Sequence, residues 1–193
     1  MNRRDFTLHG LSGGTLLATA VAHAQPATLP PCAPPRTADV VYEPTPLAVV
    51  DTLIAAAGAG SNDVVYDLGC GDGRFVVAAA RRGARGVGFD LNPNLVEWAT
   101  ANALAERVNP RVSFEVRDIF TIDLSPASVV TLYLLPELNL RLRPKLWKEL
   151  RVGSRVVSNA FEMGDWAPDR TFDVPTRYRK AYLWTIKPEH KRA

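Results

Sequence analysis

The sequence predicts an α/β fold: a mostly parallel sheet with helices on both faces, closed by a C-terminal antiparallel hairpin. Three observations carry that expectation: short apolar β-rich runs alternate with helical segments, a glycine-rich turn follows the first of these runs, and no long helix follows Asn159. With 47% of its 193 residues hydrophobic and 22% charged, the chain holds enough apolar material for one packed core.

The first 24 residues read as an export address. Arg3-Arg4-Asp5-Phe6 precedes a mildly apolar stretch from Leu8 to Val21 and then Ala22-His23-Ala24, the three-part plan of a signal peptide, with cleavage expected after Ala24. The paired arginines resemble the twin-arginine export motif, while Asn2, Thr7 and Leu8 depart from its usual flanks. His9, Gly10, Ser12, Gly13 and Gly14 interrupt the stretch, and a membrane span needs about 20 predominantly apolar residues, so no stable span is expected. The location that follows is the periplasm, or the cytoplasm where the signal is not used. Residues 25–41 are a Pro-rich linker, since proline lacks an amide donor and blocks helix, and the folded domain is expected over 42–193.

Within it, Leu47, Val50, Leu53 and Ile54 recur at helical spacing ahead of Gly58-Ala59-Gly60, which predicts a first helix over 47–57 with a glycine stop. Strands are expected at 64–68, 86–90, 112–116, 129–134 and 155–159. Helices are expected at 75–82, 93–106 and 137–150, the second starting at Pro93 behind Asn92 as its cap. Parallel neighbours need crossover connections, which this alternation provides. Runs at 170–174 and 178–186, parted by Pro175-Thr176, read as the closing hairpin.

Composition excludes several functions. The net charge is only +3, and basic residues are interleaved with acidic ones except at His190-Lys191-Arg192, so no basic stripe argues for nucleic acid. Cys32 and Cys70 fit neither a disulfide framework nor a metal site.

The chemistry lies in Val64-Val65-Tyr66-Asp67-Leu68-Gly69-Cys70-Gly71-Asp72-Gly73-Arg74-Phe75, an apolar strand running through an acid into a triple-glycine turn that opens a helix. Gly69, Gly71 and Gly73 allow the sharp turn and leave a ligand room against the backbone. Arg74 stands where a dinucleotide fingerprint needs its third glycine. Asp67 would repel a pyrophosphate but attract an ammonium, so a zwitterionic amino-acid cofactor fits better. Asp90, ending the next strand about 20 residues on, can accept from both hydroxyls of a ribose; the alternative is an aspartate that caps the helix starting at Pro93. Cys70, inside the turn, reads as buried filler.

This run closely resembles the first motif of class I S-adenosylmethionine methyltransferases, with Asp67, Gly69, Gly71 and Gly73 at matching positions. Tyr42-Glu43-Pro44-Thr45-Pro46, Val130-Thr131-Leu132-Tyr133-Leu134-Leu135-Pro136 and Leu142-Arg143-Pro144-Lys145-Leu146 narrow the likeness. Together they resemble the small protein-lysine methyltransferases whose eukaryotic members act in mitochondria on the membrane-ring (c-type) protein of ATP synthase or on the adenine nucleotide translocase. The resemblance, from Tyr42 to Trp166, implies a Rossmann-like class I methyltransferase fold and S-adenosylmethionine as cofactor. It places Asp118 near the adenine amino group, Ile119 on the adenine ring, and Tyr42 and Thr45 over the methionine end. Tyr133 and Pro136, at the carboxyl end of the fourth strand, are the acceptor-side candidates.

The function expected is methyl transfer to a protein lysine by in-line displacement, from a monomer with no structural metal. The alternatives are a small-molecule methyltransferase and an exported S-adenosylmethionine-binding protein without turnover. Asn159, Glu162, Asp165 and Trp166 follow the fifth strand and either complete the pocket or merely form a connecting loop.

Overall fold

The computed structural model describes residues 42–192. The signal peptide and linker assigned to 1–41 lie outside the described residues, as does Cys32.

Seven strands form one sheet in the order β3-β2-β1-β4-β5-β7-β6. In chain order the elements are α1 (Leu47–Ala56), β1 (Val64–Leu68), α2 (Arg74–Arg81), β2 (Arg85–Asp90), α3 (Pro93–Ala105), β3 (Val112–Val116), β4 (Val129–Leu132), α4 (Pro136–Glu149), β5 (Arg155–Asn159), β6 (Arg170–Asp173) and β7 (Lys180–Thr185). The first five strands run parallel, while β7 lies antiparallel against both β5 and β6. The expected strand and helix order is therefore observed, with ends shifted by one or two residues. The hairpin differs from the two-residue turn expected at Pro175-Thr176. Its connection spans 174–179, closed by Val174 N–H donating to the Arg179 carbonyl and Arg179 N–H to that of Thr176. Tyr178 thus lies in the loop rather than in the strand.

Strand periodicity sorts the core onto the two faces of the sheet. Val129 of β4 and Val157 of β5 pack with Leu53 of α1 and Ala79 of α2 on one side. Val130, Leu132 and Val156, from the same strands, pack with Leu142 and Leu146 of α4 on the other. The α3 helix joins the α2 side through Ala103, which packs with Val77 and Ala80. The 117–128 connection between β3 and β4 contains no helix. Asn92 caps α3, its side chain accepting from Asn94 N–H with Pro93 in the first turn, as Asn-Pro chemistry predicts. Among the described residues no helix is long and apolar enough to cross a membrane.

The order reverses between β1 and β4: β2 and β3 extend the sheet on one side of β1, and the chain then returns to place β4 on the other. Neighbouring crossovers leave the sheet in opposite directions there, opening a crevice at the strands' carboxyl ends where α/β sheets hold ligands.

Candidate active site

A cleft opens at this reversal. It brings together Tyr42, Thr45, Asp67, Gly69, Gly71, Asp90, Asp118, Ile119 and Tyr133, all singled out from the sequence. Gly73 and Pro136 are not part of its wall. Gly73, at φ +78, starts α2, and a Cβ there would meet the Phe114 ring at 2.7 Å and Ala99 at 2.8 Å. Its bareness therefore serves the packing of α3 and β3 against the loop. Pro136 is exposed at the first turn of α4, where a missing amide hydrogen costs nothing.

Asp67, near the end of β1, is 3% exposed. One carboxylate oxygen accepts from Thr131 Oγ1 at 2.6 Å, from the residue directly opposite in β4. The other is buried without a partner. Burial, reinforced by the Asp90 and Asp72 charges against the Thr131 hydrogen bond, pushes its pKa up to about 7. A carboxylate so placed needs a cation to hold its charge.

Asp90 ends β2 with both oxygens anchored: Oδ2 accepts from Gly71 N–H at 3.0 Å and Oδ1 from Asn92 N–H at 2.9 Å. It does not cap α3, since Asn92 does, so the capping alternative fails. Asp118 turns the chain after β3, its Oδ1 accepting from Phe120 N–H at 2.9 Å, and so presents Ile119 and Phe120 to the cleft.

The lead-in forms one wall. Tyr42 covers the glycine loop so closely that a Cβ on Gly71, at φ +53, would lie 2.5 Å from its ring; only glycine suits that approach. Thr45 is buried, and its hydroxyl accepts from Asn159 Nδ2 at 3.1 Å. Asn159 thus holds a wall residue without lining the cleft itself, while Glu162 and Asp165 are exposed and Trp166 packs in the core.

Arg74 ties the wall to the loop, and sequence reasoning missed its role. Its guanidinium forks onto Asp72, Nε to Oδ1 at 2.8 Å and Nη2 to Oδ2 at 2.5 Å. It also donates to the Thr45 carbonyl and to the Tyr42 hydroxyl. The signal that could have shown it was an arginine standing in place of a glycine two residues after an aspartate. Burial raises the Asp72 pKa, but Arg74's hydrogen bonds and charge outweigh it, leaving the carboxyl below its ordinary range. Arg74→Ala would strand a nearly buried carboxylate, a loss of about 3 kcal/mol. Because Asp72 titrates low in the fold, the pair's stabilisation is complete at neutral pH and fades as acid protonates the carboxyl. In urea unfolding, the variant's deficit is expected to be large at pH 7.5 and much smaller near pH 3; an equal deficit at both would contradict this account of the pair.

Cys70 is buried and unpaired, and burial raises its thiol far above the ordinary range, consistent with filler and not a nucleophile.

Tyr133 stands just beyond β4. Its ring stacks on Phe161 at 6.3 Å between centroids and meets Tyr178 edge-on at 6.4 Å. Burial, and next the Glu43 carboxylate, push its hydroxyl up to about 12, so it stays protonated in any physiological range.

A strand-tip acid lacking a cation, a glycine turn pressed beneath an aromatic ring and an anchored carboxylate at the neighbouring strand end fit an S-adenosylmethionine site. The sheet order and this cleft define a class I S-adenosylmethionine-dependent methyltransferase. Within that class the chain belongs to the ANTKMT methyltransferase domain family, matched over residues 67–170. It is 40% identical over 156 residues to a protein-lysine N-methyltransferase of Saccharolobus islandicus, covering 79% of this chain and 96% of that one. It is 39% identical over 105 residues to the mouse adenine nucleotide translocase lysine N-methyltransferase, covering 54% of this chain and 46% of that one. Among solved structures, an RNA methyltransferase from Salinibacter ruber in complex with S-adenosylhomocysteine is 49% identical with a TM-score of 0.73, over 76% of this chain and 95% of that one.

Proposed function

We propose that this methyltransferase modifies the side-chain amine of a protein lysine. The observation carrying the proposal is the charge of the cleft wall, whose lining residues include Glu43, Asp67, Asp72, Asp90 and Asp118 against Arg74, itself bound to Asp72, while Arg177 meets Glu43 from beside the cleft. Such a wall attracts a cationic cofactor and a cationic acceptor and repels a phosphate backbone. The lysine methyltransferases among the relatives support the same reading.

Bound S-adenosylmethionine supplies a methyl group already activated on its sulfonium. The chain's own residues bind, orient and exclude water. Asp67 would hold the methionine ammonium, Asp90 would accept from the ribose hydroxyls, Asp118 and Ile119 would take the adenine, and Tyr42 and Thr45 would cover the methionine end. Gly69 and Gly71 leave room for Leu134 and the Tyr42 ring, both of which line the cleft, to press against the loop. At the acceptor side Tyr133 lines the approach, and its ring face suits a charged or neutral amine stem. A free lysine amine has a pKa near 10.4, so under about a thousandth is neutral at pH 7; partial burial and a nearby sulfonium both favour loss of the proton. No separate base is required.

We also propose, from the twin-arginine-like segment and the linker in the sequence, that the domain expected at 42–193 is exported to the periplasm by a route that admits a folded domain with its cofactor in place.

RNA as acceptor is a second reading, favoured by the likeness to the Salinibacter ruber RNA methyltransferase and by three rings able to stack on a base. One labelling experiment decides. The full chain is incubated with methyl-labelled S-adenosylmethionine and a bacterial extract, which is then divided into protein, RNA and small molecules. The expected label survives ribonuclease, is released by protease, and is recovered as methyl-lysine on hydrolysis. Label in the RNA or the extractable metabolites overturns the proposal in favour of that acceptor, and cofactor binding with no transfer would leave a binding protein.

A further inference from the structure

Beside the cofactor cleft, the loop joining β6 to β7 places a cation against a carboxylate. Arg177 Nη2 donates to Glu43 Oε2 at 2.6 Å and to the Tyr178 hydroxyl at 2.6 Å. Its guanidinium carbon also lies 4.6 Å from the Tyr178 ring centroid. Tyr178 packs on Phe161 at 4.9 Å and meets Tyr133 at 6.4 Å. Glu43 and Tyr133 both line the cleft.

We infer that Glu43, Tyr133 and Tyr178 form the subsite for the acceptor's primary ammonium, and that Arg177 occupies it as an internal stand-in which the acceptor displaces. The inference rests on the lysine reading above and names its binding partner. A carboxylate edged by aromatic rings is a receptor for a desolvating cation on a slender stem. The present occupant is held weakly. The Glu43 and Arg177 side chains are 44% and 65% exposed, and exposed ion pairs contribute about 0–1 kcal/mol. Arg177 cannot itself be the methyl acceptor's equivalent in chemistry, because a guanidinium keeps its proton where an ammonium can lose one. Exchange of one cation for the other conserves charge at Glu43, so docking needs no buried unpaired carboxylate at any stage. Arg177 also belongs to the connection between β6 and β7 and to neither strand, so its side chain can leave Glu43 without breaking a ladder hydrogen bond.

The test uses the full chain saturated with S-adenosylhomocysteine and titrated with n-butylammonium chloride at constant ionic strength, followed through the ring resonances of carbon-labelled tyrosine. Arg177→Ala and Arg177→Gln are each expected to tighten saturable binding about two- to fivefold relative to wild type. Adding Glu43→Gln to either is expected to remove that gain. Both positions are solvent-exposed, so unchanged thermal midpoints are expected alongside. Binding that is no tighter in either Arg177 variant, that ignores Glu43→Gln, or that never saturates in any of them overturns the subsite. So does saturation of the same resonances by adenosine monophosphate in place of butylammonium, which would make the rings a base platform. Butylammonium bound as expected while no protein lysine is labelled refutes the lysine reading and leaves the ammonium subsite standing. Methyl-lysine formed while Arg177 variants behave as wild type refutes the subsite alone.

Discussion

Asp67→Asn is expected to weaken S-adenosylmethionine binding by about 100- to 4000-fold. Removing one member of a buried charge pair costs about 3–5 kcal/mol, and each 1.4 kcal/mol is about tenfold in affinity. The wild-type carboxylate has one oxygen held by Thr131 and one buried oxygen with no hydrogen-bond partner among the described residues, so it fits a cationic group. Two pH signatures follow from its pKa of about 7. Below that pH the ligand-free carboxyl is largely protonated and must release its proton to bind a cation, so affinity should climb as pH rises toward 7 and then level off. Stability of the ligand-free protein moves oppositely. The folded pKa lies above the ordinary 3.8, so the folded state holds more protons than the unfolded one between those values. Asp67's contribution to stability therefore declines as pH rises through that window. The Asn variant should lack both slopes. Calorimetric titration and urea unfolding from pH 4 to 8 measure them, and a variant that binds within threefold of wild type with the same pH dependence refutes the assignment.

Asp90→Ala should lower cofactor affinity by about 100-fold. Hydrogen bonds to a charged group contribute about 1.5–3 kcal/mol each, and a ribose diol would make two of them. The substitution also frees Gly71 N–H and Asn92 N–H from their anchors, so the glycine loop loses its tie to β2. Asp90→Asn separates these effects: it keeps an oxygen acceptor for one amide but loses the charge and one acceptor, and should fall between wild type and Ala. Competition with a 2′-deoxy analogue of S-adenosylhomocysteine sharpens the reading. The analogue should bind less well than the parent to wild type, while Asp90→Ala should scarcely distinguish them. A variant that still discriminates fully would place the ribose contact elsewhere.

Which parts of this site were legible in sequence depends on the range of the forces involved. Strand and helix order followed from short apolar β-rich runs alternating with helical spacing, and the Asn92-Pro93 cap from local backbone chemistry, both set within a few residues. The glycine turn was legible for the same reason, although spacing could not tell that Gly71 yields to a ligand-side ring while Gly73 yields to α3 and β3. Pro136 looked like a wall residue because it follows a strand end, yet the chain has already turned into α4 by then. Tyr178 looked like strand because it stands just ahead of the β-rich run Ala181-Tyr182-Leu183-Trp184, whereas hydrogen bonds between 174 and 179 hold it in the loop.

By itself the amino-acid order determined the parallel α/β plan, the cofactor loop and the acids at the tips of β1 and β2, since each is written in a short window of side-chain pattern and backbone sterics. Folding in three dimensions decided the rest. Thr131 reaches Asp67 only because β4 returns beside β1, Arg74 gathers Tyr42 and Thr45 from about 30 residues away, and Arg177 meets Glu43 across 134 residues. Pairings of that span follow from the sheet order, which no local window records.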